Sequence, residues 1–186
     1  MRIIAGHLKG RRLAPVKGRT RPTGAKVREA IFNILGEAVA GVRVLDLFAG
    51  TGALGLEALS RGAQEAVFVE DHPAALAALR RNLEELAVRS QARVLALPVR
   101  TALKKLSRGR ERFGLVFLDP PYDQGLLAPA LQALVTAGVL APGAWVAAEM
   151  SSREEAPVLP GALSLVETRR YGDTQVAFYR SRENDN

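Results

Sequence analysis

From residue 42 onward the chain alternates short apolar runs with segments of helical period, and this alternation constrains the fold more than any other feature. VRVLDLFAG reads as a strand, ALGLEALSRG as a helix closed by Gly62, and EAVFVED as a strand. PAALAALRRNLEELA follows as a helix begun by Pro73, then ARVLALP as a strand and TALKKL as a short helix. LVFLD is a strand, LLAPALQALVTAG a helix and AWVAAEM a strand. ALSLVETRRYGDTQVAFYRS predicts two antiparallel strands about a turn near Gly172-Asp173. Strands joined through helices pair in parallel, because each crossover returns the chain to the same end of the sheet. Runs such as AVFV and LVF are apolar at every position, which fits strands buried on both faces. The expectation is an α/β protein with a doubly wound, mainly parallel sheet, whose ligands sit at the carboxyl ends of the strands where the strand order reverses.

Ahead of this pattern, RIIAGHLKGRRLAPV predicts two short strands about a glycine-containing turn, with basic residues between apolar ones. GRTRPTGAK reads as a loop leading to a helix capped by Thr23, with Val27, Ala30, Ile31, Ile34 and Leu35 at helical spacing. We therefore divide the chain into a basic N-terminal hairpin or arm, residues 1–20, and one domain, residues 21–186. Charge sharpens the division. Residues 1–28 hold nine Lys and Arg and no acid, whereas residues 29–186 hold 17 basic and 19 acidic side chains. All of the formal +7 thus comes from the first 28 residues, and a localised block of that kind points to a polyanion, most often nucleic acid. The chain has no cysteine and only two histidines, His7 and His72, which removes disulfides, thiol catalysis and most zinc or iron chemistry. No apolar run approaches a membrane span and the N-terminus does not read as a signal peptide, so a cytoplasmic protein is expected.

Two strand ends carry the chemistry. In VLDLFAGTGALG, Gly50-x-Gly52-x-x-Gly55 falls at a strand-to-helix junction, where glycines let a ligand approach the backbone and the helix offers unpaired N–H groups. Glu70 ends the next strand, where an acid can hold ribose hydroxyls. Asp46 lies inside the first strand end, four residues before Gly50, where it would repel a pyrophosphate and attract a cationic ligand. S-adenosylmethionine, with a ribose, an ammonium and a sulfonium, meets those demands better than a nicotinamide dinucleotide does. At the fourth strand end stands Asp119-Pro120-Pro121-Tyr122. A base's exocyclic amine is a poor nucleophile because its lone pair is delocalised into the ring. Acceptors placed at its two N–H bonds turn that lone pair outward; the Asp119 carboxylate and the Pro120 carbonyl can be those acceptors. The prolines fix φ, Pro121 holds Pro120 extended, and Tyr122 can stack on the base. Positioning then supplies much of the acceleration without a metal or a covalent intermediate.

These stretches resemble a known family. VLDLFAGTG, VFVED and LDPPY together are similar to the S-adenosylmethionine-dependent amino-methyltransferases. RIIAGHLKGRRL, TRPTGAKVREAIFNIL, DLFAGTGALGLEALSRGA and YGDTQVAFY resemble, in order and over nearly the whole chain, bacterial 16S rRNA guanine-N2 methyltransferases of the RsmD type. The resemblance implies a Rossmann-like methyltransferase sheet, mostly parallel with an antiparallel C-terminal strand, plus a small N-terminal β-hairpin. It implies that Asp46, Phe48, Gly50 and Gly52 line the methionine side of the cofactor, that Glu70 holds the ribose, and that Thr23 closes over it. Val99 stands where many relatives place a polar residue at the adenine edge, so the contact there is expected from backbone. Asp119, Pro120, Pro121 and Tyr122 would grip the target amine and base. Arg2, Lys9, Arg11, Arg12, Arg19 and Arg21 would hold 16S rRNA, within a 30S subunit or an assembly intermediate. The product is S-adenosylhomocysteine, no metal takes part, and a monomer is expected. Two other readings stay open on the residues alone: a DNA adenine-N6 or cytosine-N4 methyltransferase, and a non-catalytic rRNA-binding module.

Overall fold

In the computed structural model, residues 1–16, 24–122, 124–159 and 161–182 are described. The strands are β1 (Arg43–Leu47), β2 (Glu65–Val69), β3 (Ala92–Leu95), β4 (Phe113–Leu118), β5 (Leu140–Ser151), β6 (Leu163–Tyr171) and β7 (Thr174–Ser181). They make one sheet in the order β3-β2-β1-β4-β5-β7-β6. Neighbouring pairs from β3 through β5 are parallel, while β7 runs antiparallel to both β5 and β6. The helices are α1 (Ala25–Leu35), α2 (Ala53–Ser60), α3 (Pro73–Glu85), α4 (Val99–Arg108) and α5 (Leu127–Ala137).

The strand order follows from right-handed crossovers. α2 and α3 carry the chain outward from β1 through β2 to β3, and α4 then returns it past β1 to β4. Reversing the direction of travel moves the later helices to the opposite face. Accordingly Val44, Phe68 and Phe117 pack with Phe32 of α1, Leu56 of α2 and Leu79 of α3 in one core layer. Leu45, Val67 and Val116 pack with Leu103 of α4 and Leu131 of α5 in the other. Two-faced burial is what the unbroken apolar strands require, and each such side chain contributes roughly 1.5–3 kcal/mol of transfer free energy. The reversal lies between β1 and β4. There Leu47 aligns with Val69 on one side and Leu118 on the other, which brings Phe48, Glu70 and Asp119 level at the carboxyl edge.

Four local expectations change. The two N-terminal strands reduce to a single antiparallel bridge between Arg2 and Arg12. Around it the hairpin is held by Ile3 N–H to the Arg11 carbonyl, Gly10 N–H to the Ile3 carbonyl and Leu13 N–H to the Met1 carbonyl. Ile4 and Ala5 N–H turn to the Glu57 carboxylate at 2.8 and 3.0 Å, and Leu8 N–H to Ser60 Oγ at 3.0 Å. α1 is capped by Gly24 rather than Thr23, with Arg28 N–H bonded to the Gly24 carbonyl at 3.0 Å. α4 starts at Val99, because the Pro98 carbonyl accepts from both Thr101 and Ala102 N–H. β5 is longer than its apolar run, since a register shift between Phe113 and Leu115 lets Leu140 pair with Phe113.

Candidate active site

The loop from β1 to α2 departs from ordinary backbone at three of five positions, with φ of 60° at Phe48, 58° at Gly50 and 80° at Gly52. For a bulky residue such as Phe48 this conformation is strained, on the order of 1–3 kcal/mol, and such strain persists only where surrounding contacts impose it. Here the contacts are visible. Ala49 N–H donates to the Val69 carbonyl at 3.0 Å, Gly52 N–H to the Ala49 carbonyl at 2.7 Å, and Gly50 N–H to Glu70 Oε2 at 2.8 Å. Gly55 allows α2 to close on the sheet. A Cβ there would lie 2.4 Å from Phe68 Cε1 and 3.1 Å from Asp46 Oδ2.

Asp46 sits beneath this loop, 1% exposed, its Oδ2 accepting the Gly55 N–H at 2.9 Å. Burial pushes its carboxyl well above the usual carboxylate range; the Gly55 hydrogen bond opposes the rise, while the charges of Asp119 and Glu70 add to it. Glu70 is 7% exposed and accepts three backbone N–H groups: Gly50 on Oε2, and Asp71 and His72 on Oε1. A carboxylate has about four lone-pair sites, so one remains for a further hydrogen-bond donor. Val99 is half-buried at the first turn of α4, against the α4–α5 core layer. Among the described residues, no group of three or more His, Asp or Glu is placed to hold a metal ion.

At the end of β4, Asp119 N–H reaches the Leu47 carbonyl at 3.4 Å, Pro120 is buried, and Pro121 and Tyr122 are half-buried. The Tyr122 hydroxyl donates to Glu149 Oε1 and lies 3.0 Å from Thr174 Oγ1. Burial first, and the Glu149 charge second, hold the phenol far above its ordinary pKa, so it stays a donor. The sequence reading missed Glu149 and Thr174. Glu149, the single acid in AWVAAEM, could have been flagged as a charge inside a buried strand, and Thr174 carries no signal beyond the turn it follows.

The basic segment is docked. Ile3, Leu8 and Leu13 join the core layer that α1, α2 and α3 cover, and Arg2, Lys9, Arg11 and Arg12 all point outward. Arg2 and Arg11 bond the carbonyls of Gly10 and Glu85. Arg28, counted in the same basic block, is instead fully buried, with Nε 3.6 Å from Glu57 Oε2. Asn82 of α3, fully buried, links the segment to the glycine loop: it accepts Ala14 N–H at 2.6 Å and donates to the Ala14 and Thr51 carbonyls at 3.3 and 2.9 Å. Thr23, Arg19 and Arg21 lie outside the described residues.

A doubly wound sheet with one antiparallel strand, a glycine loop after β1 and an acid after β2 define a Rossmann-like methyltransferase fold. A hypothetical protein of Thermus thermophilus has the same fold, at a TM-score of 0.82 and 34% identity over 98% of this chain and 99% of its own. The 16S rRNA N2 G1207 methyltransferase (RsmC) of T. thermophilus, solved with AdoMet and guanosine, matches at 0.65 and 30% identity. That match covers 89% of this chain and 44% of the other. Ribosomal RNA small subunit methyltransferase D of Escherichia coli K12 is 36% identical over 181 residues, 97% of this chain and 89% of its own. The model of the family described as Conserved hypothetical protein 95 matches residues 1–180, and the chain belongs to that family.

Proposed function

We propose that this protein methylates the exocyclic N2 amine of a guanine in 16S rRNA, using S-adenosylmethionine. The observation that carries the proposal is the register of β1: Leu47 aligns with both Val69 and Leu118, so Asp119-Pro-Pro-Tyr122 opens beside the glycine loop and Glu70. The cofactor fits the residues present. A buried acid already crowded by two more is relieved by a cationic ligand, and Glu70 keeps capacity for a ribose hydroxyl. Asp46, Phe48, Gly50 and Gly52 would hold the methionine end, Glu70 the ribose and Val99 the adenine side, with Thr23 covering it. When bound, S-adenosylmethionine supplies an electrophilic methyl group and ends as S-adenosylhomocysteine.

The chain's own residues act on the amine. Asp119 and the Pro120 carbonyl accept its two N–H bonds, which returns the lone pair to nitrogen. Asp119 then holds the proton that the quaternised nitrogen sheds, before solvent takes it. Tyr122 stacks on the base. Arg2, Lys9, Arg11 and Arg12 are exposed, as a grip on phosphates requires, and Arg19 and Arg21 of the same basic stretch of sequence would add to it. The printed names of the E. coli and RsmC proteins support small-subunit rRNA as the polymer and an N2 position on guanine. We extend the reading to a cytoplasmic monomer acting on a 30S particle or a precursor of it.

The test incubates the protein with labelled S-adenosylmethionine and either 30S particles from a strain lacking the gene or duplex DNA, followed by nucleoside mass spectrometry. Label in N2-methylguanosine is expected. Label in DNA alone, or full turnover by Asp119→Ala, overturns the proposal.

A further inference from the structure

The Tyr122 hydroxyl is engaged in a way that base stacking does not require, since a phenylalanine ring would stack as well. Glu149 and Thr174, which it meets, come from different strands. Glu149 lies on β5, one residue beyond Ala148, which aligns with Leu118 of β4, so it belongs to the same carboxyl edge as Asp119. Thr174 is the first residue of β7, opposite Ser151 of β5 and Tyr171 of β6, directly after the turn through Gly172. Glu149 is 4% and Thr174 6% exposed. The Tyr122 hydroxyl directs its single proton at the carboxylate, so the Thr174 hydroxyl donates in turn to the phenol oxygen at 3.0 Å. The ring is therefore fixed at its far end by two strands, while the two prolines fix the backbone at its near end.

We propose that Glu149 and Thr174 are positioning residues, which hold the Tyr122 ring by its hydroxyl in the orientation that receives the target base. The inference rests on the reading of Asp119-Pro-Pro-Tyr122 as the grip on amine and base. It also gives the C-terminal hairpin a part in the site. The turn of YGDTQVAFY delivers Thr174 to the active edge, and β7 runs antiparallel so that its first residue, not its last, arrives there. A ring ordered before the base arrives loses less entropy when the base docks.

A double-mutant cycle on methylation of 30S particles tests this, with S-adenosylhomocysteine affinity and thermal midpoint measured for each variant. Tyr122→Phe and Glu149→Met, which removes the acceptor at similar length, should each lower kcat by about tenfold, leaving S-adenosylhomocysteine affinity within twofold. The double variant should be no slower than the worse single, because both remove one bond. Thr174→Ser should retain turnover and Thr174→Val lose it, a comparison that still decides if Glu149→Met does not fold. Parental kcat in Tyr122→Phe, independent multiplication of the two effects, or equal turnover in the two Thr174 variants overturns the inference. Asp119→Ala separates the two levels. If it is inactive while Tyr122→Phe is fully active, only the positioning claim falls; if it is active, the reading of the motif falls with it.

Discussion

Asp46 stands under the glycine loop as a carboxyl whose folded environment favours the proton. Between its ordinary pKa and its raised folded one, the folded state holds a proton that the unfolded state has released, so stability is present at low pH and drains away as pH rises through that window. Asp46→Asn keeps an oxygen for the Gly55 N–H and removes the charge. We expect its thermal midpoint at neutral pH to exceed that of the parent and to depend less on pH, while affinity for S-adenosylmethionine falls roughly tenfold or more, for loss of the attraction to the cation. Scanning fluorimetry across pH and titration calorimetry check the two halves, and a lower midpoint with unchanged affinity would contradict both. Tyr179 behaves in the alkaline range as a second marker. Burial pushes its phenol up to about 12, and it donates to the Pro157 carbonyl at 3.0 Å. Its share of the stability is whole below about pH 10, where the free phenol would begin to ionise, and is lost as pH climbs through the folded value; Tyr179→Phe should flatten that alkaline decline.

Among the elements, the docked N-terminal segment depends on one close approach. Gly6 has φ of +79°, and a Cβ on it would stand 1.7 Å from the Ser60 carbonyl oxygen. The same stretch of α2 accepts His7 N–H through that carbonyl and Leu8 N–H through Ser60 Oγ. Gly6→Ala therefore pushes the segment off α2, with an expected loss of about 2–3 kcal/mol in denaturant unfolding. The element order from β1 to β7 was legible in the chain, because strands buried on both faces and helices buried on one leave different periodicities. The placement of β4 beside β1 was also legible, since a doubly wound sheet admits few orders. The N-terminal hairpin was legible as far as its Arg2–Arg12 bridge; its short extent was not, because Glu57, 52 residues away from Ala5, takes the N–H groups of Ile4 and Ala5. Asp119 and the glycine loop could be found because each is a contiguous motif with its own chemistry. Glu149 and Thr174 meet Tyr122 only through strand pairings, and no local pattern announces a partner 27 or 52 residues off.

Taken whole, the molecule keeps its positive excess in residues 1–28, of which residues 1–16 pack with the core layer of α1, α2 and α3. Removing residues 1–20 would also strip Ile3, Leu8 and Leu13 from the core, so charge changes test the nucleic-acid face more cleanly than deletion does. Lys9→Gln with Arg12→Gln, both outward-facing, should weaken 30S or rRNA binding and lower the salt slope by roughly one for each phosphate no longer gripped, with thermal midpoint and cofactor affinity unchanged. An unaltered salt slope would remove the segment from the RNA interface. Asn82 carries a different consequence. Its amide is satisfied only when Ala14 and Thr51 have both arrived, and a half-satisfied buried amide costs on the order of 1–3 kcal/mol. Peeling off the first sixteen residues alone is thereby penalised twice. Hydrogen exchange should find the amides of Ala14 and of the glycine loop opening together, as one cooperative unit, although 37 residues separate positions 14 and 51 along the chain.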